Sequence, residues 1–457
     1  MVRIFLLFSI SLLILNNISA QKTDNEVVGS FFREALTDTT AYGNLRYLCK
    51  NFSGRITGSP QAAGAVEYTY QVLRNMNAGP VFKQPVEVPR WVRGEAEKAA
   101  IQSAKFGFRE VPVLALGMSV GTGDPGLSAH VVEVNDFDEL KKMGREKITG
   151  KIVFFNRPMD PAMINTFGAY GIAASQRTLG ATEAAKYGAA GVVVRSVTTA
   201  VDDFPHTGVM RYDENVTKIP AVAISTKGAN LLSQWLTHDP GLRFFFRTTC
   251  VTLPEVTSHN VIGEIKGSVY PEQIITVGGH LDAWEPGEGA HDDGAGCMQS
   301  IEVLRLFQKL GIQPRRTIRA VMFMDEEVAQ RGGKEYARQA VLNNEKHYFA
   351  LEADRGTYMP KGFGVSAPDG RLEKILALNK YFEPYGITQF VKGGGGVDIA
   401  PLGELGTPLS SFIPDMQRYF DVHHSGFDTF EQVNFREFQM GSAAIASFIF
   451  LIDKYDL

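Results

Sequence analysis

The C-terminal half of the chain holds histidines and carboxylates in groupings that suit a metal centre: His280-Leu-Asp282, Asp292-Asp293-Gly294, Glu326-Glu327, Asp354 and His424. Two divalent ions about 3.5–4 Å apart need one shared carboxylate plus separate oxygen and nitrogen donors for each ion. This set supplies that inventory and leaves one glutamate in reserve. Imidazole mixed with carboxylate favours zinc over calcium or magnesium, which prefer oxygen ligands alone. A free carboxylate beside a metal-bound water can act as a general base, worth about 10²–10⁴ in rate.

Taken singly, each group has a structural explanation. Asp292-Asp293-Gly294 reads as a turn and helix cap, and Glu326-Glu327 as a solvated pair at a helix start, favoured by the helix dipole. A lone histidine after a strand is most often a satisfied polar residue. Their joint order changes the reading, because most of them follow a short apolar run. Residues 274–277 lead to His280, 317–324 to Glu326 and Glu327, and 348–351 to Glu352 and Asp354, while 409–412 points toward the loop of His423 and His424. In an open α/β sheet, ligands gather beyond the carboxyl ends of the strands.

These runs alternate with helices expected over 295–310 and 334–343. The fold class expected is therefore α/β, with a mixed, largely parallel central sheet flanked by helices. A last helix over 435–454 is capped by Asn434 with Glu437. Phe438, Ile445, Phe448, Ile449 and Ile452 recur on it at helical spacing, which marks a core stripe.

Ahead of this half, residues 24–90 read as helical, with Ser59-Pro60 opening one helix. Strand-like stretches follow around Val86 and Val111. Residues 117–249 carry strand candidates at 129–134, 151–155, 191–194 and 220–224 but none of the clustered donors. They read as an inserted domain between 21–116 and 250–457, two pieces that complete one another.

Residues 1–20 differ in kind: Arg3, an apolar run over 4–15, then small residues ending at Ala20. This is the pattern of a secretory signal peptide, and the location it implies is secreted or periplasmic. An uncleaved anchor is the alternative, although the run is shorter than the ~20 residues that span a bilayer. No later run is expected to span a membrane.

Composition sets further bounds. The 457 residues include 46 basic and 50 acidic ones, and a net charge of −4 offers no basic footprint for nucleic acid. With 44% hydrophobic and 21% charged residues, disordered and fibrous classes are excluded. Cys49, Cys250 and Cys297 are too few for a disulfide framework.

Longer motifs surround the donors: Gly279-His280-Leu-Asp282, Gly289-Ala-His-Asp292-Asp293-Gly294, Glu352-Ala-Asp354 and His424-Ser-Gly-Phe-Asp428-Thr429, with Arg55-Ile-Thr-Gly-Ser-Pro60 upstream. Together with Glu326-Glu327 they resemble the co-catalytic zinc aminopeptidases and carboxypeptidases, especially the carboxypeptidase Q branch. The resemblance spans nearly the whole chain after the signal and implies that the insert over 117–249 is a protease-associated domain. It implies two zinc ions bridged by Asp292, with His280 and Asp354 completing one site and Glu327 and His424 the other. Glu326 would then be the general base, and Asp282 would fix the tautomer of His280.

Asp398, in the glycine-rich loop that starts at Lys392, and His423 are further candidates for substrate contact. His291 and His423 stand open between facing the cleft and filling space. The implied substrates are short peptides cut at a terminal bond, by a dipeptidase or by a broad aminopeptidase. A glutaminyl cyclase on the same fold and a non-catalytic receptor-like binding protein are the other readings. The oligomeric state is open between monomer and homodimer.

Overall fold

The computed structural model describes residues 22–457, and the expected signal peptide at 1–20 lies outside them. Two eight-stranded sheets organise these residues. At the centre of the first, Tyr270–His280 lies between Arg316–Phe323 and Lys346–Glu352, parallel to both. Leu409–Pro414 continues the parallel block beside Lys346–Glu352. Every residue of Arg316–Phe323 is buried, as expected for a strand covered on both faces.

Antiparallel pairs flank this block: Val81–Val92 pairs along the long strand Val251–Ile265 at one edge, and Pro360–Ser366 pairs with Leu409–Pro414 on the other side, where Gln389–Lys392 adds a parallel edge strand. The expected α/β class, with a mixed and centrally parallel sheet, is the class observed. Val81–Val92 begins inside the stretch read as helical and takes in the strand-like run expected around Val86. Its partner is about 170 residues away in sequence, and its two prolines, Pro85 and Pro89, suit an edge strand.

Helices Asp24–Thr37, Ala295–Lys309 and Phe435–Lys454 cover one face of this sheet. Phe31 packs on Phe307 at 5.2 Å, and Phe448 stacks on Phe363 of the sheet at 4.1 Å. The Asn434 side chain accepts the N–H groups of Arg436 and Glu437, which fixes the start of the last helix. Contrary to expectation, this helix has the length and the mean hydropathy, 1.2, of a membrane span. Its apolar stripe is spent inside the protein instead: Phe438, Ile445, Phe448, Ile449 and Ile452 are all buried.

The second sheet is built on a parallel run of Leu127–Val134, Ile152–Phe155, Gly191–Arg195 and Ala221–Ile224. It also takes in Lys98–Ser103, Gly107–Glu110 and Val113–Ala115, which precede the expected start of the insert at 117. Those strands are short: Gly107–Glu110 folds back on Lys98–Ser103, while the pairings that join them to the sheet lie far along the chain. Val113–Ala115 pairs with Ala221–Ile224, and Lys98–Ser103 with Arg243–Arg247.

Candidate metal centre

The strand ends of the first sheet bring the sequence candidates together. His280 is the last residue of its strand, and Glu326-Glu327 and Asp354 lie just past Phe323 and Glu352. Asp292 sits in the turn Ala290–Gly294, which opens into the helix Ala295–Lys309. The Asp292 carboxylate stands between the two imidazoles. Its Oδ1 lies 3.2 Å from Nε2 of His280, and its Oδ2 lies 3.3 Å from Nε2 of His424. On one side Asp354 approaches Nε2 of His280 at 3.5 Å; on the other, Glu327 approaches Nε2 of His424 at 3.0 Å.

Two features of this cluster fit divalent cations. Asp292 Oδ2, Glu327 Oε1 and Asp354 Oδ1 are buried and accept no hydrogen bond, although a buried carboxylate oxygen ordinarily has a donor. The second feature is electrostatic crowding. Burial drives the Glu326 and Glu327 carboxyls well above the usual range, and neighbouring carboxylates add to the effect, Asp354 on Glu326 and Asp292 on Glu327. Burial disfavours a charged His280, but Asp354 and Asp292 outweigh it and raise its pKa well above the ordinary imidazole value. Cations supplied to this site would replace those protons and satisfy the bare oxygens.

Supporting contacts set the orientation of each donor. Nδ1 of His280 lies 2.9 Å from the main-chain oxygen of Asp282, which can only accept, so Nδ1 keeps its proton and Nε2 is the nitrogen left to bind an ion. The Asp282 carboxylate is farther away, at 3.9 Å. It accepts the N–H groups of Glu326 and Glu327 instead and so holds that turn. The expected tautomer control of His280 thus comes from the backbone of Asp282 rather than its side chain.

Asp428 accepts the N–H groups of His291 and Asp292, at 2.8 and 3.1 Å. Arg55, fully buried, donates to the carbonyls of Leu281, Glu288 and Gly289 and ties the N-terminal segment to the same turn. Trp284 donates its indole N–H to Glu327 at 2.6 Å. None of these three roles was read from the sequence. Asp428 and Arg55 were visible only as motif members, and no sequence signal marked Trp284.

The second sheet's unit also reaches the centre. Nδ1 of His424 lies 3.3 Å from the carbonyl of Thr207, and the N–H of Thr207 donates back to the His424 carbonyl at 2.9 Å. Nδ1 of His206 lies 2.6 Å from the carbonyl of His423. The two candidate histidines left open resolve differently. His291 is satisfied by Thr357 and Gln432, stacks on Tyr358 at 4.4 Å, and fills space. His423 stacks on His424 at 3.6 Å and brings Nε2 to 3.6 Å from Asp292 Oδ2, so it faces the cluster as a further donor.

Asp398 lies behind Glu352, whose carboxylate accepts the Asp398 and Ile399 N–H groups. Its own oxygens are unpartnered and buried. Burial, with Glu352 and Glu326 nearby, pushes this carboxyl well up.

A parallel sheet with donors at successive strand ends, converging as two imidazole–carboxylate groups on one shared aspartate, defines a zinc metallopeptidase. Residues 260–449 match the family described as Peptidase family M28. Carboxypeptidase Q of Homo sapiens is 34% identical over 414 residues, which cover 90% of this chain and 84% of that protein. Carboxypeptidase Q of Xenopus laevis is 34% identical over 389 residues, or 85% and 80%. The crystal structure of a Peptidase M28 precursor from Shewanella amazonensis superposes with a TM-score of 0.89 at 33% identity, covering 94% of this chain and 96% of that one. A zinc aminopeptidase from Bacillus subtilis shares the fold, with a TM-score of 0.64 at 20% identity over 90% of this chain and 94% of its own. The chain belongs to peptidase family M28, on its carboxypeptidase Q side.

Proposed function

We propose that the protein is an exported two-zinc exopeptidase that cuts the terminal bond of short peptides, with Glu326 as general base. The observation that carries this reading is the Asp292 carboxylate, which offers one oxygen toward each imidazole at 3.2 and 3.3 Å. His280 and Asp354 would hold one ion, and Glu327 and His424 the other. When bound, the ions would lower the pKa of a water and polarise the peptide carbonyl. Glu326, its N–H anchored on Asp282, would take the proton of the attacking water and return it to the leaving amine as the C–N bond breaks.

The carboxypeptidase Q relatives favour a carboxypeptidase or dipeptidase over a broad aminopeptidase. Among substrate contacts His423, beside Asp292, fits better than the buried Asp398. The second unit corresponds to a protease-associated domain, and residues 1–20 would direct export.

The test is a panel of dipeptides and aminoacyl amides, assayed with and without chelator, beside metal analysis of the wild type and Glu326→Gln. Expected are chelator-sensitive dipeptide cleavage, about two zinc per chain in both proteins, and turnover lowered by about 10²–10⁴-fold in the variant. Loss of zinc from Glu326→Gln would remove Glu326 from the role of base. Cleavage of aminoacyl amides but not dipeptides would make the enzyme an aminopeptidase.

A further inference from the structure

Two of the candidate zinc donors, Glu327 and His424, are backed by the joint between the two units. Trp284 is the link to Glu327. It is buried, and its indole N–H donates to Oε2 of Glu327 at 2.6 Å. The same Oε2 lies 3.0 Å from Nε2 of His424, while Oε1 accepts no hydrogen bond. Turning the carboxylate about its Cγ–Cδ bond would break a buried hydrogen bond to a charged acceptor, so the indole fixes its attitude.

The far edge of that indole rests on the second unit. A Cβ on Gly117 would overlap the ring at Cη2, so Trp284 occupies the space a side chain would take. Gly117 belongs to a short ribbon: its N–H donates to the Gly208 carbonyl at 2.9 Å, and its own carbonyl accepts from Met210 at 3.0 Å. The Thr207 hydroxyl donates to the Ala115 carbonyl at 2.8 Å, and the Thr207 carbonyl faces Nδ1 of His424. One ribbon, residues 115–117 zipped to 207–210, thus backs both donors of one ion position. His280, at the other position, is held from within the catalytic half by Asp282 and Asp293.

Arg93 locks the joint. It is buried in the connection that leaves strand Val81–Val92 for the second unit. On one side its guanidinium donates to the Ala115 carbonyl at 2.8 Å and to Glu97 at 2.9 Å. On the other it donates to Glu285, the neighbour of Trp284, at 3.1 and 3.2 Å. The planar fork therefore grips both sides of the contact between Trp284 and Gly117.

We propose that the second unit is a positioning element for one of the two ions: its ribbon seats Trp284 and His424 so that Glu327 and His424 converge, and Arg93 holds the ribbon in place. The proposal rests on the two-zinc reading above and adds a linkage to it. Docking of the ribbon and occupancy of the Glu327–His424 position favour each other by the same factor, because coupling between two equilibria is reciprocal.

The test counts ions rather than turnover. Trp284→Phe removes the indole N–H and keeps a ring in the joint. Gly117→Ala adds one methyl group to the second unit and alters neither donor. Arg93→Lys keeps the charge and loses the fork. Each protein is loaded with zinc and titrated with a chelator, and the two dissociation constants are read separately. Trp284→Phe and Gly117→Ala should weaken one ion about 10–100-fold, the loss typical when a partner that orients a metal ligand is removed, and leave the other within about twofold. Arg93→Lys should weaken the same ion by a smaller factor. In the reverse direction, zinc loading of the wild type should slow hydrogen exchange at the Thr207, Gly117 and Met210 amides. Two ions held as in the wild type by Trp284→Phe, or both weakened alike, would overturn the proposal, as would exchange at those three amides that zinc leaves unchanged. A wild type that takes up fewer than two zinc ions would instead overturn the two-zinc reading on which it rests.

Discussion

The two imidazoles of the centre are held by different parts of the molecule. His280 ends a central strand; its Nδ1 faces the carbonyl of Asp282 two residues on, and its N–H donates to Asp293. Everything that orients it is local. His424 sits in a loop at a positive φ of 59°, and its Nδ1 faces Thr207, 217 residues away in the second unit. A donor at a strand end inherits its direction from the sheet, whereas a donor on a loop needs a partner from elsewhere in the fold.

The largest expected effect falls on the residue common to both halves. Asp292→Ala should lower zinc content at both positions and reduce turnover about 10⁴-fold, the several kcal/mol that metal-assisted charge stabilisation supplies. Metal analysis with kinetics on a dipeptide checks this. If one ion remained tightly bound, the halves would be independent and Asp292 would not be their shared element.

Next comes a change aimed at the His424 half alone. A Cβ on Gly208 would sit 2.7 Å from Nδ1 of His424 and 2.6 Å from Cζ of Arg177, at a φ of 135° that suits glycine. Gly208→Ala should therefore displace His424 while leaving His280 in place. Losing the partner that orients a metal-bound histidine typically weakens metal affinity 10–100-fold. Chelator competition should show one ion released early and one held as in the wild type. Equal weakening of both ions, or of neither, would break the division between the halves.

The same division separates what was legible in the sequence from what was not. His280, Glu326, Glu327 and Asp354 stand just past apolar runs that form buried parallel strands, so type and position together pointed to one crevice. His424 was placed by its motif, because a helical turn and loop intervene between its strand and the site. Thr207 and Trp284 gave no signal. The contact of Thr207 with His424 depends on how the second sheet's unit sits against the first, and no periodicity encodes that. Val113–Ala115 falls in the stretch read as strand-like, but Lys98–Ser103 was missed for a related reason: a short strand whose link to the sheet, Arg243–Arg247, lies more than a hundred residues away leaves little local pattern.

The smallest expected effect is on stability, and it also belongs to the His424 side. His206 is buried, its Nδ1 held at the His423 carbonyl and its Nε2 without a partner. Burial lowers its pKa to about 4. The unfolded chain takes up this proton near the ordinary value of about 6.5, while the folded protein refuses it until about 4. The unfolded state therefore binds more protons in this window, and stability is lost as pH falls through it, by up to about 1.4 kcal/mol per unit for this group. Denaturant titrations at pH 7 and 5 should show the wild type losing about 2 kcal/mol more than His206→Asn, whose side chain does not titrate. Burial gives His291 a pKa of about 4 as well, but it contributes equally to both proteins and cancels in the difference. Equal losses in the two proteins would mean that His206 is already charged or solvated when folded, and that the contact between His423 and the second unit is looser than its 2.6 Å separation implies.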